Sequence, residues 1–136
     1  MADKRGINPY ALGRAGNTAY GAIPFMQVVT IASTDTAAVK AFGNTPVPFQ
    51  MRVVRAFGYM TQAGSASDTV VVQRVRSGTT TSITNTADLS VMSDTDQFDF
   101  GQIDNAANVL NKGDTLQVTP AGGTGCVIYI ECLREA

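Results

Sequence analysis

Few side chains in this chain of 136 residues are suited to reaction chemistry. Histidine is absent altogether. That removes the commonest general base, every Ser-His-Asp or Cys-His arrangement and nearly all catalytic zinc sites. The only glutamates are Glu131 and Glu135, and nothing sets a pair of carboxylates across a cleft, as glycoside hydrolysis requires. The acidic run SDTDQFDF brings Asp94, Asp96 and Asp99 close in sequence, but their spacing misses the D-x-[DN]-x-[DN]-G pattern of a calcium loop. A solvated loop or an intersubunit contact is the expectation there. Gly122, Gly123 and Gly125 precede an expected strand rather than opening a helix, and no lysine follows, so they read as a turn and not a phosphate cradle. Cys126 and Cys132 fall within one expected strand. At about 3.3 Å per residue their Cα atoms lie about 20 Å apart, too far for a bridge, and both are expected as buried thiols. The expectation is no catalytic residue, no metal site and no cofactor.

Binding chemistry is narrowed in the same way. The first 25 residues carry only Lys4, Arg5 and Arg14 as cations, and the isoelectric point is about 5.2. Nucleic-acid binding by counterion release needs a cluster of cations, so no nucleic-acid partner is expected. Trp is absent, which weakens a sugar-stacking reading, although Tyr10, Tyr20, Tyr59 and Tyr129 keep it open. No apolar run approaches the ~18 residues of a membrane span, and Met1 to Gly6 lacks the apolar stretch of a signal peptide. No membrane association and synthesis in a cytoplasm are therefore expected. Charged residues make up 15% of the chain, against roughly 25% in an average soluble domain. Residues 1–60 hold six basic and two acidic side chains, residues 61–136 four and nine. Such opposed charge can orient subunits, or it is ordinary surface variation.

The elements that would position these residues are β-strands. Expected strands are MQVVTIA (26–32), a short AAVKAF (37–42), FQMRVVRAFGYMT (49–61) with Gly58 as a bulge or bend, DTVVVQRVR (68–76), a Thr-rich strand after the Ser77-Gly78 turn, KGDTLQVTP (112–120) and CVIYIECL (126–133). The consecutive Val70, Val71 and Val72 suggest burial on both faces. In the last strand, Cys126, Ile128, Ile130 and Cys132 form an apolar set facing the core, with Tyr129 on the opposite face as an interface residue. Residues 87–110 are the least strand-like, and IDNAANVL suggests one or two helical turns capped by Asp104 or Asn105. Seven to eight short strands joined by Gly/Ser/Thr turns indicate an all-β antiparallel sandwich or jelly-roll-like domain over residues 26–136. Residues 1–25 form an extended N-terminal arm punctuated by glycine and proline. Ile7, Tyr10, Leu12, Tyr20, Ile23 and Phe25 make it more apolar than a linker, and these are its expected contacts. It lies either on a neighbouring molecule or back over its own domain.

The segment IDNAANVLNKGDTLQVTPAGGTGCVIYIECL resembles the end of small β-sandwich proteins encoded among tailed-phage head genes. In those, a pattern I-D-x-A-x-x-x-L-x-x-G-D-x-L-x-V is followed by a Gly-rich turn and a strand V-x-Y-I. The matching positions are Ile103, Asp104, Ala106, Leu110, Gly113, Asp114, Leu116 and Val118, then Val127, Tyr129 and Ile130. The piece VPFQMRVVRAFGYMTQAGSASDTVVVQRV is similar in texture to the same proteins, so the resemblance spans roughly residues 46–133. It implies a capsid decoration (cement, or head auxiliary) protein of a bacteriophage virion, often a homotrimer. Such a protein sits on the capsid surface and clamps neighbouring copies of the major capsid protein. The arm matches no motif of that family; its role as a clamp follows from its composition. Two other readings stay open: a receptor- or carbohydrate-binding head of a tail or fibre, and a shell-forming sandwich subunit.

Overall fold

A computed structural model describes residues 22–135 of the chain. In chain order the strands are β1 (Ile23–Ile31), β2 (Val39–Lys40), β3 (Met51–Met60), β4 (Thr69–Arg76), β5 (Thr79–Ser82), β6 (Ala87–Asp88), β7 (Gln97–Asp99), β8 (Val109–Leu110), β9 (Thr115–Ala121) and β10 (Cys126–Arg134). They form two five-stranded antiparallel sheets, the all-β arrangement that the alternation predicts. Sheet I has the order β2-β9-β4-β5, with β6 sharing the β5 side of β4. Sheet II has the order β1-β10-β3-β7, with β8 sharing the β7 side of β3.

The core lies between the sheets and is built from alternate residues of the long strands. Met51, Val53, Ala56 and Met60 of β3 meet Val70 and Val72 of β4, Leu116 and Val118 of β9, and Cys126, Ile128, Ile130 and Cys132 of β10, all fully buried. Val71, on the other face of β4, is nearly buried as well. The β4–β5 hairpin closes on Arg76 opposite Thr79. Its two loop residues, Ser77 and Gly78, both take positive φ (50° and 79°), the mirror-image turn whose twist matches paired strands.

Three expected elements differ. The first strand begins at Ile23, not Met26, because Pro24 is tolerated on an edge strand, where a missing N–H breaks no ladder. The expected strand 37–42 is reduced to Val39–Lys40, since the chain turns at Ala41–Asn44 with Phe42 and Gly43 in the left-handed region. The helical turns expected in 103–110 are a single turn. Ala107 N–H donates to Asp104 O (3.0 Å) and Ala106 N–H to the Asp104 carboxylate (2.9 Å). Asp104 thus performs the capping chemistry foreseen for it without a helix to cap.

Asp104 is one case of a general device. Asp35, Asp68, Asp96 and Asp114 each accept the backbone N–H of the residue three positions before, at 2.8 Å. Asp88, Asp99 and Asp104 accept the N–H two positions after, at 2.7–2.9 Å. A short carboxylate replaces the backbone acceptor that a strand or helix would provide. Four of the five aspartates in residues 88–104, all but Asp94, are therefore turn-building. Among the described residues no group of three carboxylates or thiols is gathered in a metal-binding arrangement.

Arg74 and Arg76 lie on the inward parity of β4 and tie the sheets together at one end. Arg74 donates to the carbonyls of Ala107 (3.2 Å) and Val109 (3.3 Å). Arg76 donates to Val109 O (3.1 Å) and twice to Asp114 Oδ2 (2.8 and 2.9 Å). Burial pushes the Asp114 carboxyl up, but the Arg76 guanidinium and the Asn111 N–H outweigh it, and the net shift is downward from 3.8. A carboxyl lowered on folding stabilises fully above its unfolded value, and that share is lost as pH falls through the folded value. Asp114→Asn is expected to destabilise by about 1–3 kcal/mol at neutral pH. It should also make unfolding less pH-dependent below about pH 4; denaturant melts across that range check both.

The two thiols are free and fully buried. Desolvation raises Cys126 to about 11, and desolvation aided by the charge of Glu131 raises Cys132 to about 12. Since the thiolate is the reactive form, a maleimide at about pH 8 should leave both unlabelled in the native protein and label both after unfolding in guanidinium.

Candidate protein-binding surface

The outer face of sheet II carries the residues that the fold exposes without using. Its geometry originates in β3. Glu131 of β10 is opposite Arg55 of β3, but the next residue, Cys132, is opposite Val53, so Val54 is an extra, bulged residue. Before it Met51 and Val53 point inward; after it Ala56, Gly58 and Met60 do. The bulge thereby turns Arg55, Phe57 and Tyr59 outward, and it explains why Arg52 and Arg55 break the simple alternation.

Gly58 is not the bulge. It is a point of close approach: a Cβ there would stand 2.4 Å from the Val127 carbonyl oxygen and 3.1 Å from the Phe98 ring. The lack of a side chain lets β10 and the Phe98 ring close over it.

On this face Tyr129 stacks with two aromatic neighbours, both on β3. Its ring lies 5.4 Å from Phe57 (17° between planes) and 6.2 Å from Tyr59 (28°). Arg55 lies over the Phe57 ring at 4.5 Å and pairs with Asp99 at 3.2 Å. The Gly101 N–H, more than Arg55, holds the Asp99 carboxyl below its ordinary value, against a smaller upward push from burial. These residues, with Gln97, border a shallow depression of about 470 Å³. Across β10 from Phe57, Tyr129 is opposite Val28 of β1, and Met26 lies two residues earlier on the same face. Met26 and Val28 are 42% and 53% exposed, Ile23 57%. Two ion pairs lie beside the aromatic group, Arg55 with Asp99 and Arg52 with Glu135 (3.2 Å each), and Glu131 lies on β10 between Arg55 and Met26. Exposed aromatic and apolar side chains with few charges among them are the composition of a protein interface.

Of the residues singled out by sequence, Tyr129 stands at the centre of this face. Ile23 lies exposed at the start of β1. Phe25 points inward, packed against Phe49 (5.6 Å) and Phe42 (6.3 Å), and so is taken up by the fold. Arg134 covers Phe49 at 4.3 Å. Ile7, Tyr10, Leu12 and Tyr20 lie outside the described residues. Sequence reasoning did not single out Met26, Val28, Arg55, Phe57 and Tyr59 for this surface. Their signal was the i, i+2 spacing of Arg55, Phe57 and Tyr59, readable only once the parity change at Val54 is placed.

No protein-family model matches the sequence, and no curated protein does. Among solved structures, the fold is similar to a chain of the cyanophage Pam1 capsid asymmetric unit. The TM-score is 0.47 and the identity 12%, over 93% of this chain and 95% of that one. Among the described residues no helix is long and apolar enough to cross a membrane.

Gly58→Ala should force β10 away from β3. The expected cost is about 1–3 kcal/mol, read as a thermal midpoint lower by several degrees.

Proposed function

We propose that the protein is a virion structural protein that decorates an assembled phage capsid and stabilises it by bridging neighbouring capsid subunits. The observation that carries this reading is the outer face of sheet II, where Tyr129, Phe57, Tyr59, Met26 and Val28 form an exposed apolar and aromatic patch with few charges in it. Two sequence features support it. Residues 46–133 resemble phage head decoration proteins, and residues 1–22 are an apolar, glycine-punctuated stretch of sequence preceding β1. In this reading Ile7, Tyr10, Leu12 and Tyr20 are arm contacts with the major capsid protein, and the outer face contacts an adjoining subunit. Apolar area buried only in the assembled state stabilises that state by mass action, which is what a clamp on a pressurised shell requires.

The carbohydrate-binding alternative fits this face less well. A sugar stacks on an open ring face, whereas the Tyr129 ring is already stacked with Phe57 and Tyr59, and Arg55 lies over the Phe57 ring.

The test is occupancy of shells that lack the protein. Full-length chain should saturate them; a chain starting at Ala22 should fold and fail to attach. Tyr129→Ala should weaken attachment at least about tenfold, as central aromatic anchors do. Full occupancy by both variants would overturn the proposal, and binding of the isolated protein to cells or glycans would favour the fibre-head reading instead.

A further inference from the structure

We propose that β1 pairs edge to edge with β1 of a second copy of this chain, antiparallel about Gln27, joining the two sheets II into one continuous sheet. β1 pairs with β10 along all nine of its residues, and among the described residues no strand pairs with its other edge. Such an edge presents a row of unsatisfied N–H and C=O groups, and proteins ordinarily blunt it with charge, a bulge or shortness. The other sheet edges here are short: β2, β6 and β8 have two residues each, β7 three and β5 four. β1 is nine residues long, has no bulge against β10, and reads IPFMQVVTI without one charge. Pro24 is its single interruption.

The sequence of β1 argues for a second copy as the occupant. Residues directly opposite in antiparallel strands share a face. About Gln27, Met26 meets Val28 and Pro24 meets Thr30 on the outer face, while Phe25 meets Val29 and Ile23 meets Ile31 on the inner one. Every pair outside Gln27 is apolar or carries one threonine, and no charge meets a like charge. Three of the five large apolar side chains exposed among the described residues, Ile23, Met26 and Val28, lie on this strand. Self-pairing sets the Met26 and Val28 of each copy beside those of the other and extends the outer face across both sheets. The contact is isologous and closes at two copies. A trimer of the kind the family resemblance implies would use another surface, and β1 would then join two trimers. The inference concerns the protein in solution and stands apart from the capsid reading.

The test is the mass of the full-length chain by sedimentation equilibrium. An even number of copies is expected. Val28→Lys places two cations near the two-fold axis and should halve that mass, while Val91→Lys, at a position 85% exposed outside the strands, should leave it unchanged. Thr30→Lys, at a second exposed position of β1, should act as Val28→Lys does, and circular dichroism with thermal melting identifies variants that remain folded. A monomer or an odd number of copies would overturn the proposal. So would an even-numbered assembly that both folded β1 variants leave intact.

Discussion

Strand β3 carries one residue more than β10 can match, and the outer surface of the protein depends on where that residue is placed. With strict alternation from Met51, the residues facing the core would be Arg55, Phe57 and Tyr59. A guanidinium and a phenol would then enter a space that the other strands fill with valine, isoleucine and leucine, at a prohibitive desolvation cost. The bulge at Val54 resolves the conflict by reversing the parity. Ala56, Gly58 and Met60 become core residues, and the aromatic pair joins Tyr129 outside. Ala56 and Gly58 inward with Phe57 and Tyr59 outward is the reverse of ordinary patterning, and it leaves room for Phe98 to pack over Gly58. One inserted residue therefore determines both a tight contact inside the sandwich and the character of its outer face.

The long strands were legible because each reports its own burial. β10 shows four apolar residues at every second position, β4 three successive valines, and β9 leucine and valine two apart. All but Val71 occupy the core between the sheets, and Val71 is buried on the other face of β4, as three successive valines predict. The short strands were not legible. β6, β7 and β8 have two or three residues, too few for a period to emerge, and they form because β3 and β4 leave edge groups for them to satisfy. The turn at 104–107 misled for a related reason: an aspartate accepting a nearby N–H looks the same in sequence whether a helix follows or not. Gly58 illustrates the same ambiguity, since a glycine within a strand signals either a bulge or a close neighbour. Of the surface, Tyr129 was legible from β10 alone. Its partners were not, because they depend on a register that no single strand contains.

Composition also reads differently once contacts are known. Low overall charge left few ionic groups, and most of them are committed. Seven aspartates hold turns, while Arg74 and Arg76 hold the two sheets together through the carbonyls of Ala107 and Val109 and the carboxylate of Asp114. Aspartate suits this work better than glutamate, because one methylene is the reach from a Cα to an N–H two or three residues away. The surface that remains is mostly hydroxyl, amide and apolar, which gives the outer face of sheet II little intrinsic repulsion toward another protein.

The place of β10 in sheet II also orders events during synthesis. It is the last strand in the sequence, and it lies between β1, the first described strand, and β3. Sheet I can begin with the local β4–β5 hairpin as soon as residue 82 has left the ribosome. Sheet II has no centre until residues 126–134 emerge, so β1 and β3 wait without their common partner while most of the chain is added. Closing contacts of such long sequence separation is slow, and the unpaired strands are open to other chains meanwhile. The nascent chain thus passes through an interval in which its longest uncharged strand is exposed on both edges, and chaperone binding to β1 would be most useful then.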